Sequence, residues 1–316
     1  MISRRNIRVK VMQTLYSLEL YNNPTHDGII PGNVLPSAKK ILQQHLEQTT
    51  RLFKYLLYNM VEISRYAKTD ALQRSSKYLV TPDDLNVNTQ IAENKMVVRM
   101  TEDLQYAAKA DPQNPFNLID KESIKKLYHK LVQSPEYLSY ISDPHPDEKE
   151  DKKILLYIFH EIMLKDPDFI QQAEDNFIHW PDDSEMMDML VVNYLNKPRS
   201  FDFNQLISSE KEEYAFELMQ TAIEKKKYCM ELITPRLQNW DSDRIASIDL
   251  LLMIMGICEF LYFPTIPSKV TINEYIDLAK TYSTPQSGQF VNGILDNVLK
   301  DLNTAEKIHK TDRIKK

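Results

Sequence analysis

Two stretches near the C-terminus decide how the chain is read: Pro267-Ser-Lys-Val-Thr-Ile-Asn-Glu-Tyr-Ile-Asp-Leu-Ala-Lys280 and, six residues on, Ser287-Gly-Gln-Phe-Val-Asn-Gly-Ile-Leu-Asp296. The first patterns as a helix carrying two carboxylates and an Asn among apolar residues. The second opens another helix behind Thr284-Pro285, where Thr suits an N-cap and Pro the first helical position. In this last helix Phe290, Ile294, Val298 and Leu302 recur every four residues, with Val291, Leu295 and Leu299 alongside. So wide an apolar face demands a core to pack against.

Working outward, four helices are expected at the C-terminal end: 210–233, 243–263, 268–282 and 285–302. The second is apolar on nearly every face over 250–257, which predicts a central, buried helix. At the other end Ile7, Val11, Leu15 and Leu18 fall at three- and four-residue steps and form one apolar stripe. Tyr16 lies on a different face, in line with Arg5. There it is either a ring that stacks on an unpaired base or a half-buried packing residue.

Between these ends the pattern predicts six helical segments, 36–68, 88–109, 121–133, 148–164, 169–178 and 184–196. Breakers separate them, among them Thr81-Pro-Asp-Asp, Asp111-Pro-Gln-Asn-Pro, Asp143-Pro-His-Pro and Trp180-Pro-Asp-Asp. Leu52, Leu56 and Ile63, and again Ile154, Ile158 and Ile162, show helical spacing, so this region reads as folded and not as a linker. Some of its segments resemble the C-terminal ones in the same order, Leu56–Tyr66 against 218–228 and 154–161 against 252–259. Chance likeness between amphipathic helices and an internal duplication both account for that.

Only five Gly occur in 316 residues, against sixteen Pro, which disfavours tight β-turns and phosphate-cradling loops. The expected fold class is all-α. Cys229 and Cys258 sit in apolar helical patterns and read as buried thiols. No apolar signal region and no run of eighteen apolar residues appear, so a cytoplasmic protein without a membrane partner is expected. The seven His lie scattered, without HExxH, Walker, GxGxxG or GxSxG patterns. No catalytic residues, metal ligands or cofactors are assigned, and an enzyme is not expected.

The formal net charge is −6, but it is segregated. Residues 1–10 carry +4 through Arg4, Arg5, Arg8 and Lys10, and residues 307–316 also carry +4, so the body holds −14. Such segregation lets a short basic site attract a polyanion while the acidic body repels non-specific contacts.

The two C-terminal stretches closely resemble the end of the bacterial NusB family, PxKVxINExIxLAK followed by SGKFVNGxLD. Trp240-Asp-Ser-Asp-Arg-Ile-Ala-Ser-Ile-Asp249 and the run after it are similar to that family's W-x-x-x-R-x-A-x-x-D-x-x-I-L-R-x-A-x-Y-E-L. Arg4-Arg5-Asn6-Ile7-Arg8 with Gln13-Thr14-Leu15-Tyr16 resembles its RR-x-x-R opening and Q-x-L-Y. Typical members are about half as long. The resemblance implies a NusB-like helical bundle from residues 1–22 plus 206–305, interrupted by an all-α insertion over 23–205 and followed by a basic tail, 306–316.

By resemblance the function is transcription antitermination: binding a boxA-like single-stranded RNA together with the ribosomal protein NusE, on the elongation complex, in support of ribosomal RNA transcription. It implies Arg4, Arg5, Arg8, Tyr16, Gln286, Ser287 and Phe290 as RNA-facing residues and Asp249 and Glu259 as the protein-partner acids. The free amides expected at 284–289 would add a phosphate site, with Gly288 allowing close approach. Asn273, Glu274 and Asn292 are expected to hydrogen-bond between helices. The chain departs from the pattern at Gln286, Gln289, Cys258 and Ile254, the last two standing for the usual Tyr and Arg. A protein-only scaffold in ribosome assembly is the alternative that Gln289 and Ile254 suggest.

Overall fold

Capping side chains and prolines set where several helices begin. The computed structural model describes residues 2–22, 34–108, 113–198, 203, 206–237 and 245–311. Trp240 to Arg244, Asp111, Pro112 and the tail from residue 312 lie outside them. Fourteen α-helices and no strand occur among the described residues: α1 (Arg4–Asn22), α2 (Leu35–Ser75), α3 (Pro82–Leu85), α4 (Lys95–Ala108), α5 (Lys121–Val132), α6 (Pro135–Ser142), α7 (Glu148–Tyr157), α8 (Pro167–Asn176), α9 (Trp180–Asn196), α10 (Ser209–Glu224), α11 (Lys226–Ile233), α12 (Ser247–Tyr262), α13 (Ser268–Tyr282) and α14 (Ser287–Thr304). The all-α expectation holds. None of these helices is long and apolar enough to cross a membrane.

The chain divides into two compact units. In the unit of residues 47–206, Asp120, Ser134, Asp147 and Asp166 each cap a helix through side-chain oxygens that accept backbone N–H groups. Its core holds Leu52, Leu56 and Ile63 from α2, Ile154 from α7, and Met187, Leu190 and Tyr194 from α9. Aromatic contacts tie it together, Tyr55 stacking on Phe169 at 6.1 Å and Tyr66 meeting Tyr128 at 5.1 Å.

Several boundaries differ from the sequence expectation. Trp180-Pro-Asp-Asp is not a breaker but the first turn of α9, because Pro at an early helical position has no N–H to lose. The same logic starts α8 at Pro167 and builds α6 behind Ser134-Pro135, a helix that periodicity over so short a stretch did not reveal. After α7 the chain continues as a π-helix, Ile158–Met163, with Ile158 and Ile162 still buried.

The other unit comprises residues 2–46 and 207–316, so the first part of α2 belongs with the C-terminal helices and not with the region read as an insertion. Here the Thr14 hydroxyl lies 3.0 Å from His45 Nδ1. α12 packs against α1, α10, α11, α13 and α14 and is buried from Leu251 to Phe260, the central helix its composition predicted. Gly256 allows close approach, since a Cβ there would meet Leu295 at 3.1 Å and Tyr275 at 3.3 Å. The stripe of Ile7, Val11, Leu15 and Leu18 is buried, at about 1.5–3 kcal/mol per large side chain. Cys229 and Cys258 are free buried thiols with sulfurs 3.7 Å apart. The helix expected over 210–233 breaks at Lys225 into α10 and α11.

Candidate nucleic-acid interface

Arg4, Arg5 and Arg8 share one face of α1, yet the structure seals Arg8 and leaves the other two at the surface. Arg8 is 2% exposed and Glu259, on α12, 0%. Arg8 Nε donates to Glu259 Oε1 at 2.7 Å and its Nη2 to Oε2 at 3.0 Å, a bidentate pair. Glu259 also accepts from the hydroxyls of Tyr214 at 2.5 Å, Tyr275 at 2.9 Å and Thr271 at 2.9 Å. The guanidinium lies 5.9 Å from the Tyr214 ring and 5.7 Å from the Tyr275 ring, and 3.4 Å from Glu274. Burial by itself would lower the Arg8 pKa, but the Glu259 hydrogen bonds and charge outweigh it and raise the value. Burial, then the Glu259 charge, pushes the Tyr214 and Tyr275 phenols well above their ordinary range, so both stay donors.

Two expectations therefore change. Arg8 is not RNA-facing and Glu259 is not a protein-partner surface, because each is the other's buried counter-charge. Lys10 is buried as well.

Arg4 and Arg5 remain at the surface. Arg4 pairs with Glu210 at 2.5 Å and Arg5 with Asp277 at 3.6 Å. All four side chains are more than a third exposed, and such pairs contribute about 0–1 kcal/mol, so a phosphate can replace the carboxylate. Asp277 also faces Lys280 at 3.6 Å, and the Lys280 stem covers Gly288, where an added Cβ would fall 2.8 Å from its Cγ. Arg5, Lys280 and the start of α14 thus share one neighbourhood beside α13. Lys280, which ends the first quoted stretch, is not among the residues the resemblance implies. It comes beside the α14 start because its stem packs over Gly288.

The start of α14 is less open than expected. Ser287 is 2% and Asp249 5% exposed, and the Ser287 hydroxyl donates to Asp249 Oδ2 at 2.7 Å while accepting from the Thr284 N–H at 3.2 Å. The Ser287 and Gln289 amides donate to Thr284 and Gln286 carbonyls at 3.0 and 3.1 Å. This helix end therefore offers a dipole and an adjacent cation, not a cradle of free amides. Ser287 and Asp249 are internal partners of each other, which removes Ser287 from the RNA-facing set and Asp249 from the exposed protein-partner set. Gln286 is exposed, and Tyr16 and Phe290 are half-buried. Asn273 and Asn292 are exposed and do not bridge helices, whereas Glu274 faces Arg8. Among the described residues no cluster of His, Cys, Asp and Glu could hold a metal ion.

The family model described as the NusB family matches residues 179–300, from α9 into α14. The chain is 46% identical over 101 residues to the transcription antitermination protein NusB of Methylacidiphilum infernorum, covering 32% of this chain and 70% of that protein. It is 40% identical over 101 residues to that of Salinibacter ruber, covering 32% and 63%, and 32% identical over 124 residues to that of Dictyoglomus turgidum, covering 39% and 85%. No solved structure matches. α1 lies outside the family match and is joined to it by packing on α10 and α12.

Proposed function

The chain belongs to the NusB family, a family of transcription antitermination factors and not of enzymes, and we propose that it binds a boxA-like single-stranded RNA together with the ribosomal protein NusE to support ribosomal RNA transcription. The observation that carries the RNA reading is the neighbourhood of Arg5, Lys280 and the α14 start. Arg4 extends it along α1, and Gln286 with the half-buried rings of Tyr16 and Phe290 supplies polar and stacking surface. Lys280 offers the positive charge that Gln289 lacks. For NusE, support comes from family membership, since Asp249 and Glu259 are both internal.

Mobility shifts with a boxA oligonucleotide, with and without NusE, test this reading. Arg5→Ala and Lys280→Ala should each flatten the slope of log K against log[salt] by about 0.7 and leave thermal stability unchanged. Absence of retardation at low salt in both cases would overturn it and favour the protein-only scaffold in ribosome assembly. One observation favours that second reading: Ile254, in place of the family's Arg, is 1% exposed and belongs to the core.

A further inference from the structure

In the unit of residues 47–206 many surface cations are matched. Lys68 pairs with Glu93, Lys77 with Asp84, Arg74 with Asp70, Lys126 and Lys130 with Asp166, and Lys165 with Glu161. One groove of 890 Å³ departs from that pattern. Its walls carry Lys95 and Arg99 from α4, Lys149 and Lys152 from the first turns of α7, and Lys197 just past α9. Only two carboxylates, Glu102 and Glu148, line it against these five cations. Lys95, Lys149 and Lys152 have no carboxylate within ion-pair reach among the described residues, and Lys152 donates to the neutral Asn196 side chain. Arg99 reaches Asp103 only at 3.7 Å, and the same Asp103 oxygen already accepts the Tyr194 hydroxyl at 2.8 Å. Met96, Val98, Leu195 and Pro198 add apolar surface.

Lys95, Lys149 and Lys152, like charges without a carboxylate partner in a concave site, repel one another and focus a positive field, which a polyanion relieves. A single anion would neutralise one or two of these three. Lys95 and Arg99 stand about 6 Å apart along α4, with Lys149 and Lys152 on α7 and Lys197 beyond the end of α9, so the charges are spread as a chain of anions requires. Apolar surface between the cations suits sugar and base faces. We propose that this groove holds the phosphate backbone of single-stranded RNA, a second RNA site additional to the α1–α14 surface. That the polyanion is RNA rests on the proposed function.

Anisotropy titrations of the full chain with a short boxA oligonucleotide and with a long oligouridine lacking boxA test it. The double variant Lys149→Gln, Lys152→Gln removes two cations that make no ion pair, so its melting temperature should match the parent's. With oligouridine its salt slope should be shallower by about 1.4, two contacts of about 0.7 each, while its affinity for the boxA oligonucleotide should be unchanged. An unchanged oligouridine slope, as expected if the groove takes an acidic protein segment, would overturn the assignment, as would a parent chain that does not bind oligouridine. If oligouridine binds through Lys149 and Lys152 but the boxA oligonucleotide does not bind, the groove stands and the proposed function fails. The reverse outcome sinks the groove alone.

Discussion

Arg8→Met separates a structural arginine from a nucleic-acid contact. In the wild-type chain Glu259 is fully buried and accepts five hydrogen bonds, two of them from Arg8. The substitution leaves a carboxylate with three neutral hydroxyl donors and no guanidinium against it. Removing one partner of a buried pair costs about 3–5 kcal/mol, because the charge left behind has lost both water and its counter-ion. At about 2–4 °C per kcal/mol for proteins of roughly 150–250 residues, melting should fall by about 6–20 °C. Differential scanning calorimetry is the suitable assay, since two compact units need not unfold in one transition. The double variant Arg8→Met, Glu259→Gln should recover part of the loss, because it removes the orphaned charge and keeps an oxygen to accept from the Tyr214, Thr271 and Tyr275 hydroxyls. Well below the melting transition, Arg8→Met should keep the parental salt slope for RNA. A variant that melts like the parent but loses a full contact, about 0.7 of slope, would refute the reasoning and return Arg8 to the RNA-facing set.

Ser287→Ala should destabilise the chain by about 1–3 kcal/mol in urea titrations, since Asp249 Oδ1 is already buried without a partner and Oδ2 would lose its only hydroxyl donor; an unchanged midpoint would mean the carboxylate is solvated. His45 predicts acid sensitivity. Its pKa is lowered from 6.5, by burial and then by the Lys10 charge, so the unfolded chain takes up the proton first. Its contribution is therefore present above about pH 6.5 and lost as pH falls through the folded value. Melting followed between neutral and mildly acidic pH should decline less steeply for His45→Gln than for the parent, and parallel curves would exclude the residue.

What could be read from the chain alone was what neighbours in sequence carry. α13 runs from Ser268 to Tyr282 as its periodicity predicted, and α12 is buried all round because its residues are apolar all round. Its motifs also pointed to the family, through stretches that are continuous in the chain. Shorter elements such as α6 offered too few residues to show a period. The Pro-led starts of α8 and α9 are ambiguous in sequence because proline both ends helices and begins them.

The site was decided by tertiary structure. Arg5 and Arg8 are the same residue type less than one helical turn apart, and nothing local distinguishes them. One lies at the surface beside Asp277 and Lys280, and the other is sealed against Glu259, 251 positions away. Likewise Asp249 and Ser287 each look available until the fold brings them to 2.7 Å. Helical periodicity fixes which residues share a face, since it depends only on spacing. Whether a charge on that face meets water, a ligand or a buried partner depends on what packs there, and that partner comes from a distant part of the chain.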